Sequence, residues 1–177
     1  MKFESESVIR HPRDAVFAAY RDSLSEMVPF MADITAIEVL KRTESPGCVE
    51  LHNLWRVDQD VPAFAKAFVK KEMLCWDDYA VWRGAEYRCE WRIKTRAFRD
   101  AVECFGTNTF YESEDGRTRV VLDGRLEIDL KKVRGVPSFL SKSLGPKLER
   151  FIVNLVTPNL TNVNATIEHY LNVREDL

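Results

Sequence analysis

The stretch Pro146-Lys147-Leu148-Glu149-Arg150-Phe151-Ile152-Val153-Asn154-Leu155-Val156-Thr157-Pro158, continued by Asn159 through Tyr170-Leu171, decides how the rest of the chain must pack. Its large apolar residues stand at 148, 151, 152, 155, 156, 160, 163, 167, 170 and 171. Gaps of three, four and one return to one side of a 3.6-residue helix, so the spacing predicts one long amphipathic helix. At 1.5 Å per residue it would run ~39 Å, enough to cross the face of a domain this size. Pro158 has no N–H and clashes with the carbonyl four residues back, which predicts a kink. Asn154, Thr157, Asn159, Thr161 and Asn162 around it are poor helix formers, so this part of the helix is a candidate hinge.

Working back from the helix, almost everything upstream reads as short strands that need something to pack against. Residues 2–9 form a first strand. His11-Pro12-Arg13-Asp14 ends it and opens a helix with an apolar face at Val16, Phe17 and Tyr20. Ser23 or Ser25 then caps a second short helix, Glu26 to Phe30. Ile34 to Leu40 and Cys48 to Val57 read as a hairpin around Glu44-Ser45-Pro46-Gly47. Asp58 to Lys71 departs from the strand pattern. It places Phe64 and Phe68 on one side of a single short helix, and insertions of this kind often act as lids.

The next hairpin, Met73 to Trp82 and Tyr87 to Thr95, is the clearest. With Gly84-Ala85 as its loop, Trp82 pairs with Tyr87, Ala80 with Cys89, Asp78 with Trp91 and Trp76 with Ile93. One face then carries Trp76, Asp78, Ala80, Trp82, Tyr87, Cys89, Trp91 and Ile93. Arg88, Glu90, Arg92 and Lys94 form the solvent face. In the last hairpin, Ala101 to Glu112 and Thr118 to Leu130, the second strand turns Val120, Leu122, Leu126, Ile128 and Leu130 inward with Gly124. The first strand has two registers. A two-residue Asp115-Gly116 turn buries Glu103, Phe105, Thr107, Thr109 and Tyr111. A three-residue loop buries Val102, Cys104, Gly106, Asn108 and Phe110, and is preferred because it buries no carboxylate.

The 177 residues form one domain, 1–177, large enough for a single core. A net charge of -2 gives no concentrated positive surface for nucleic acid. No apolar run reaches membrane-spanning length, and Met1-Lys2-Phe3-Glu4-Ser5-Glu6 lacks the apolar core of a signal peptide. Cys48, Cys75, Cys89 and Cys104 are widely spaced, without a C-x-x-C pair. They are expected as reduced thiols in a cytoplasmic protein. No His, Asp and Glu cluster has ligand spacing and no serine stands in a nucleophile elbow. No metal, no cofactor and no covalent catalytic residue is therefore expected. His52 shares a face with Glu50 and Arg56 and is expected in solvent.

The order is strand, two short helices, six strands in hairpins and a long closing helix. In this order, Phe3-Glu4-Ser5-Glu6-Ser7-Val8-Ile9, Ala15-Val16-Phe17, Gly116-Arg117-Thr118-Arg119-Val120-Val121-Leu122 and Leu148-Glu149-Arg150-Phe151 resemble the START-like superfamily, also called SRPBCC or Bet v 1-like. The resemblance covers essentially the whole chain. It implies an α+β helix-grip fold: a curved antiparallel sheet of about seven strands wrapped on the C-terminal helix. Val61-Pro62-Ala63-Phe64-Ala65-Lys66-Ala67-Phe68 is more faintly similar to PRELI-type phospholipid-transfer proteins. The superfamily implies a cavity between sheet and helix for lipids, sterols, polyketides or plant hormones. Some members are cyclases or dehydratases, and others are co-chaperones or toxins.

The expected ligand-binding residues are Trp76, Asp78, Trp82, Tyr87, Cys89 and Trp91 on the hairpin face, with Trp55, Leu126, Phe151 and Leu155. The same aromatic stripe would serve equally as plain core. Asp78 points among tryptophans, where an unpaired carboxylate is costly, and an arginine partner is the favoured expectation. The leading reading is a non-catalytic carrier or sensor of an apolar small molecule, lipids foremost. In it Phe151, Leu155 and Leu160 face the cavity, and Phe64, Phe68 and the basic linker frame its entrance. A cyclase or dehydratase using Asp78, Glu103 or Tyr111 as acid/base is the rival, and an interaction module with a filled core is the third. Lys131 to Lys147 carries Lys131, Lys132, Arg134, Lys142 and Lys147 between Val133, Val136, Phe139, Leu140 and Leu144. It suits either transient contact with an anionic membrane or a solubilising loop tucked under the helix.

Overall fold

Alternation of apolar and polar side chains builds seven strands: β1 (Lys2–Ile9), β2 (Ile34–Ser45), β3 (Cys48–Val57), β4 (Cys75–Arg83), β5 (Arg88–Thr95), β6 (Val102–Glu112) and β7 (Thr118–Ile128). The computed structural model describes residues 1–66, 69–132 and 141–175. All seven strands join one antiparallel sheet in the order β1-β7-β6-β5-β4-β3-β2, so the first strand lies beside the last. Helix α1 (Arg13–Asp22) and a 3-10 helix (Leu24–Phe30) follow β1, and α2 (Ser141–Thr161) and α3 (Val163–Glu175) close the chain. The protein therefore has the α+β helix-grip architecture.

The hairpins fix which side chains face inward. The turn between β4 and β5 holds four residues, Gly84 to Tyr87, in place of the expected two. Trp82 consequently pairs with Cys89 rather than Tyr87, and Trp76 with Thr95 rather than Ile93. A shift of two residues leaves every side chain on its expected face, because the pleat repeats every two. Tyr87 alone leaves the strand, with φ 46°, a conformation rare for a bulky residue. Tertiary contacts hold it there: the Arg13 guanidinium lies 3.7 Å from its ring centroid, and its hydroxyl donates to Asp14.

Between β6 and β7, Val102 faces Ile128, Cys104 faces Leu126, Asn108 faces Leu122 and Phe110 faces Val120, which is the preferred inward set. Gly106 lies opposite Gly124. A Cβ on Gly106 would stand 2.3 Å from the Asp123 carbonyl and 2.6 Å from the Trp91 indole, so the bare backbone makes the bed on which that indole lies. In the insertion between β3 and β4, residues 63–66 form a turn, and residues 67–68 lie outside the described residues. It buries Val61, Ala65 and Val69, while Phe64 is half-buried; Phe68 lies outside the described residues.

The closing helix begins before Pro146, at Ser141, and is interrupted at Asn162, one turn beyond the expected kink at Pro158. Thr161 Oγ bonds back to the carbonyls of Thr157 (3.2 Å) and Pro158 (3.3 Å), competing with the helical ladder just before the break. Polar contacts fix α3: Asn164 to Tyr20 and Ser7, Glu168 to Arg10, Asn172 to His11 and Tyr170 to Glu26. On α2, the buried side chains are Leu148, Phe151, Ile152, Leu155 and Val156. Among the described residues no helix is long and apolar enough to cross a membrane.

Candidate functional site

Strands β3, β4 and β5 turn Trp55, Trp76, Trp82 and Trp91 toward the concave side of the sheet, and a cavity opens among them. Tyr20 of α1 and Leu24 of the 3-10 helix form its near wall. Leu160 and Val163 roof it from either side of the Asn162 break. The floor is Ala80, Cys89 and Ile93, with Asn108 and Leu122 beside Trp91. Its enclosed part leaves about 60 Å³ for the centres of water-sized spheres, and about 550 Å³ of free space counts in the open mouth. Adding a sphere radius of ~1.4 Å all round gives room for a compact molecule of one or two rings.

The polar groups in this apolar setting are few and specific. Trp91 Nε1 donates to Asn108 Oδ1 at 3.0 Å, which fixes that indole. Trp55 and Trp76 stack with centroids 5.9 Å apart. Asn53 Nδ2 donates to Asp78 Oδ2 at 3.1 Å, and Asn53 Oδ1 has no donor. Trp55 Nε1 and Trp82 Nε1 are buried donors without an acceptor in hydrogen-bonding geometry. Burial pushes the Asp78 carboxyl up to about 6, with Asn53 and then Trp55 pulling against it. Burial also raises the Cys89 thiol well above its ordinary range, with Asp78 nearby adding to it, so it is no nucleophile. Tyr20 is likewise held protonated by burial.

The arginine expected at Asp78 goes instead to its neighbour. Asp77, on the convex face, accepts from Arg96 at 3.1 and 3.2 Å and contacts His52 Nε2 at 2.9 Å. Burial alone would raise the Asp77 carboxyl, but the Arg96 and His52 hydrogen bonds outweigh it and hold the carboxyl below its ordinary value. His52 is therefore engaged and stacked on Tyr79, with centroids 4.4 Å apart, rather than free in solvent.

Of the ten residues expected at the site, Trp55, Trp76, Asp78, Trp82, Cys89 and Trp91 border the cavity. Tyr87 packs on α1 instead, and Phe151 meets Phe98 edge-on at 6.4 Å. Leu126 and Leu155 are buried in the core away from the cavity wall. Glu103 and Tyr111 are exposed on the opposite face of β6 and do not reach it. Asn53 and Asn108 were not among the expected residues, although Asn53 alternates with Leu51 and Trp55 and Asn108 belongs to the preferred register. Among the described residues no three His, Cys, Asp or Glu side chains converge as metal ligands.

A curved antiparallel sheet gripping a C-terminal helix, with a cavity between them, defines the class: the protein has the START-like, Bet v 1-like helix-grip fold. Solved structures place it there. TTHA0849 from Thermus thermophilus is similar over 98% of this chain and 99% of its own, with a TM-score of 0.66 and 18% identity. The Zhui aromatase/cyclase from Streptomyces sp. R1128 is similar over 97% and 95%, with a TM-score of 0.61 and 15% identity. Ara h 8.0201 is similar over 98% of both chains, with a TM-score of 0.55 and 14% identity. No family model matches the sequence, and no curated protein matches it significantly. The similarity of the insertion to PRELI-type proteins finds no support in these comparisons.

Proposed function

We propose that the protein binds a compact, largely apolar small molecule between its sheet and C-terminal helix, as a carrier or sensor. The observation that carries this reading is Asp78, a carboxylate without a hydrogen-bonded cation among the described residues, in a space lined by tryptophans. A core selected for packing alone would place an apolar residue there, because burying that charge costs stability. The indole N–H of Trp82, a buried donor without an acceptor among the described residues, favours a ligand that carries an oxygen acceptor. The enclosed volume suits one or two rings better than an extended acyl chain, which narrows the expectation of a lipid. Lys131 to Lys147, of which residues 133–140 lie outside the described residues, would supply contact with an anionic membrane if cargo is exchanged there.

A neutral two-ring probe, 2-naphthol, tests the reading. It should quench the tryptophan fluorescence saturably in the natural protein. Ala80→Phe, which fills the floor, should abolish the quenching while leaving the circular dichroism unchanged. Equal quenching in both proteins would place the probe elsewhere and overturn the proposal.

A second reading, proton-transfer catalysis, is favoured by the place of Asp78 in the cavity wall, where burial pushes its carboxyl up toward the range suited to acid/base work near neutral pH. Of its three named residues only Asp78 borders the cavity. Turnover of a bound carbonyl compound that disappears in Asp78→Asn with binding retained would support it, and unaltered turnover would exclude it.

A further inference from the structure

The walls of the cavity specify the polar end of its ligand. Among the described residues bordering it, Asp78 alone carries a charge. The nearest imidazole, His52, lies on the other face of β3 and is engaged with Asp77. Asn53 spends its amide on Asp78 and keeps an Oδ1 without a donor, so this corner has acceptors to spare. Four indoles from three adjacent strands line the same cavity, and the faces of indole rings attract cations.

We propose, building on the ligand-binding reading above, that the cavity selects an organic cation. Its ammonium group sits beside Asp78, and its apolar body lies among Trp55, Trp76, Trp82 and Trp91. A neutral ligand would seal the carboxylate into an apolar space without a counter-charge. An ammonium repairs that deficit, and the carboxylate and ring faces together replace its lost hydration.

Binding then depends on the ionisation of Asp78. Among the described residues, the other titratable groups that line the cavity are the Cys89 thiol from β5 and Tyr20 from α1, both held protonated by burial, while His52 lies across β3 against Asp77. An alkylammonium stays charged throughout the range in which Asp78 titrates. Lowering the pH through about 6 protonates the carboxylate and weakens cation binding, whereas a neutral ligand is not affected in this way.

Calorimetry with a matched pair, 2-phenylethylamine and 2-phenylethanol, decides the matter. At about pH 7.5 the amine should bind at least ~10-fold more tightly than the alcohol, and at about pH 5 that preference should shrink by about tenfold. Asp78→Asn should erase the preference of the cavity for the amine over the alcohol. Benzyltrimethylammonium, which cannot donate a hydrogen bond, should retain part of the preference through the rings. Equal binding of amine and alcohol to the natural protein would overturn the cation inference and leave the cavity reading standing. If neither compound binds, and 2-naphthol does not bind either, the cavity reading itself falls.

Discussion

Asp77 and Asp78 are consecutive residues of one strand, yet they meet opposite environments because a strand turns successive side chains to opposite faces. Asp77 points to the convex face, where Arg96 and His52 grip it and lower its pKa. Asp78 points to the concave face, where an amide is its hydrogen-bond partner and tryptophans surround it, and its pKa rises to about 6. The first carboxylate stabilises the fold, and the second destabilises it. The difference teaches that neighbouring carboxylates of one strand act oppositely on stability: the convex face pairs its carboxylate, and the concave face bears the cost of one that it does not pair.

The largest effect should come from disturbing the bed beneath the concave face. Gly106→Ala sets a methyl group against the Asp123 carbonyl and the Trp91 indole. It should cost about 3 kcal/mol or more and shift the tryptophan emission, read by denaturant unfolding followed by fluorescence. Asp77→Ala removes the convex grip and should cost about 2–3 kcal/mol at neutral pH. Its folded pKa lies below the ordinary 3.8, so its contribution is present above that value and fades as the pH falls through the folded pKa. The natural protein and Asp77→Ala should therefore converge in strongly acidic solution; a constant gap would show that ionisation plays no part.

Asp78→Asn should act in the opposite direction. Between 3.8 and about 6 the folded state keeps a proton that the unfolded chain has lost, so the natural protein loses stability as the pH rises through this window. Above it the penalty is complete, with a ceiling of ~3 kcal/mol for a shift of this size. Residual contact with the cavity's open mouth reduces that, so the variant should be about 1–2 kcal/mol more stable at neutral pH, with a flatter profile between about pH 4 and 6. A destabilised variant would mean that Asp78 has a partner the concave face does not show. The smallest change is expected from His52→Ala, about 1 kcal/mol, because Arg96 retains Asp77 after the imidazole is gone.

The contrast between the two faces was largely legible in the sequence. Alternation on the β4–β5 hairpin assigned the inward set correctly even though the loop is longer than expected, since a two-residue slip preserves the face. Rejecting a buried Glu103 likewise chose the inward set of β6. Period-two reasoning could not assign Arg96 between two adjacent carboxylates. It lies beyond the end of β5, and the chain path there decides which face it reaches. The helix break falls within the expected hinge stretch, one turn beyond Pro158, because Pro158 signals a fault while the Thr161 side chain helps place it at Asn162. Phe151 and Leu155 carry the same apolar pattern as Leu160, and only the roof's position over β4 and β5 separates cavity residues from core.

The unpaired charge on the concave face is the central claim, and carbon-13 NMR titration of the aspartate carboxyls tests it directly. The Asp78 signal should titrate near 6 and the Asp77 signal below the ordinary carboxylate range. Asp78 titrating at or below 3.8 would contradict the account, since the carboxylate would then be paired or open to solvent and the cavity would hold no unpaired charge.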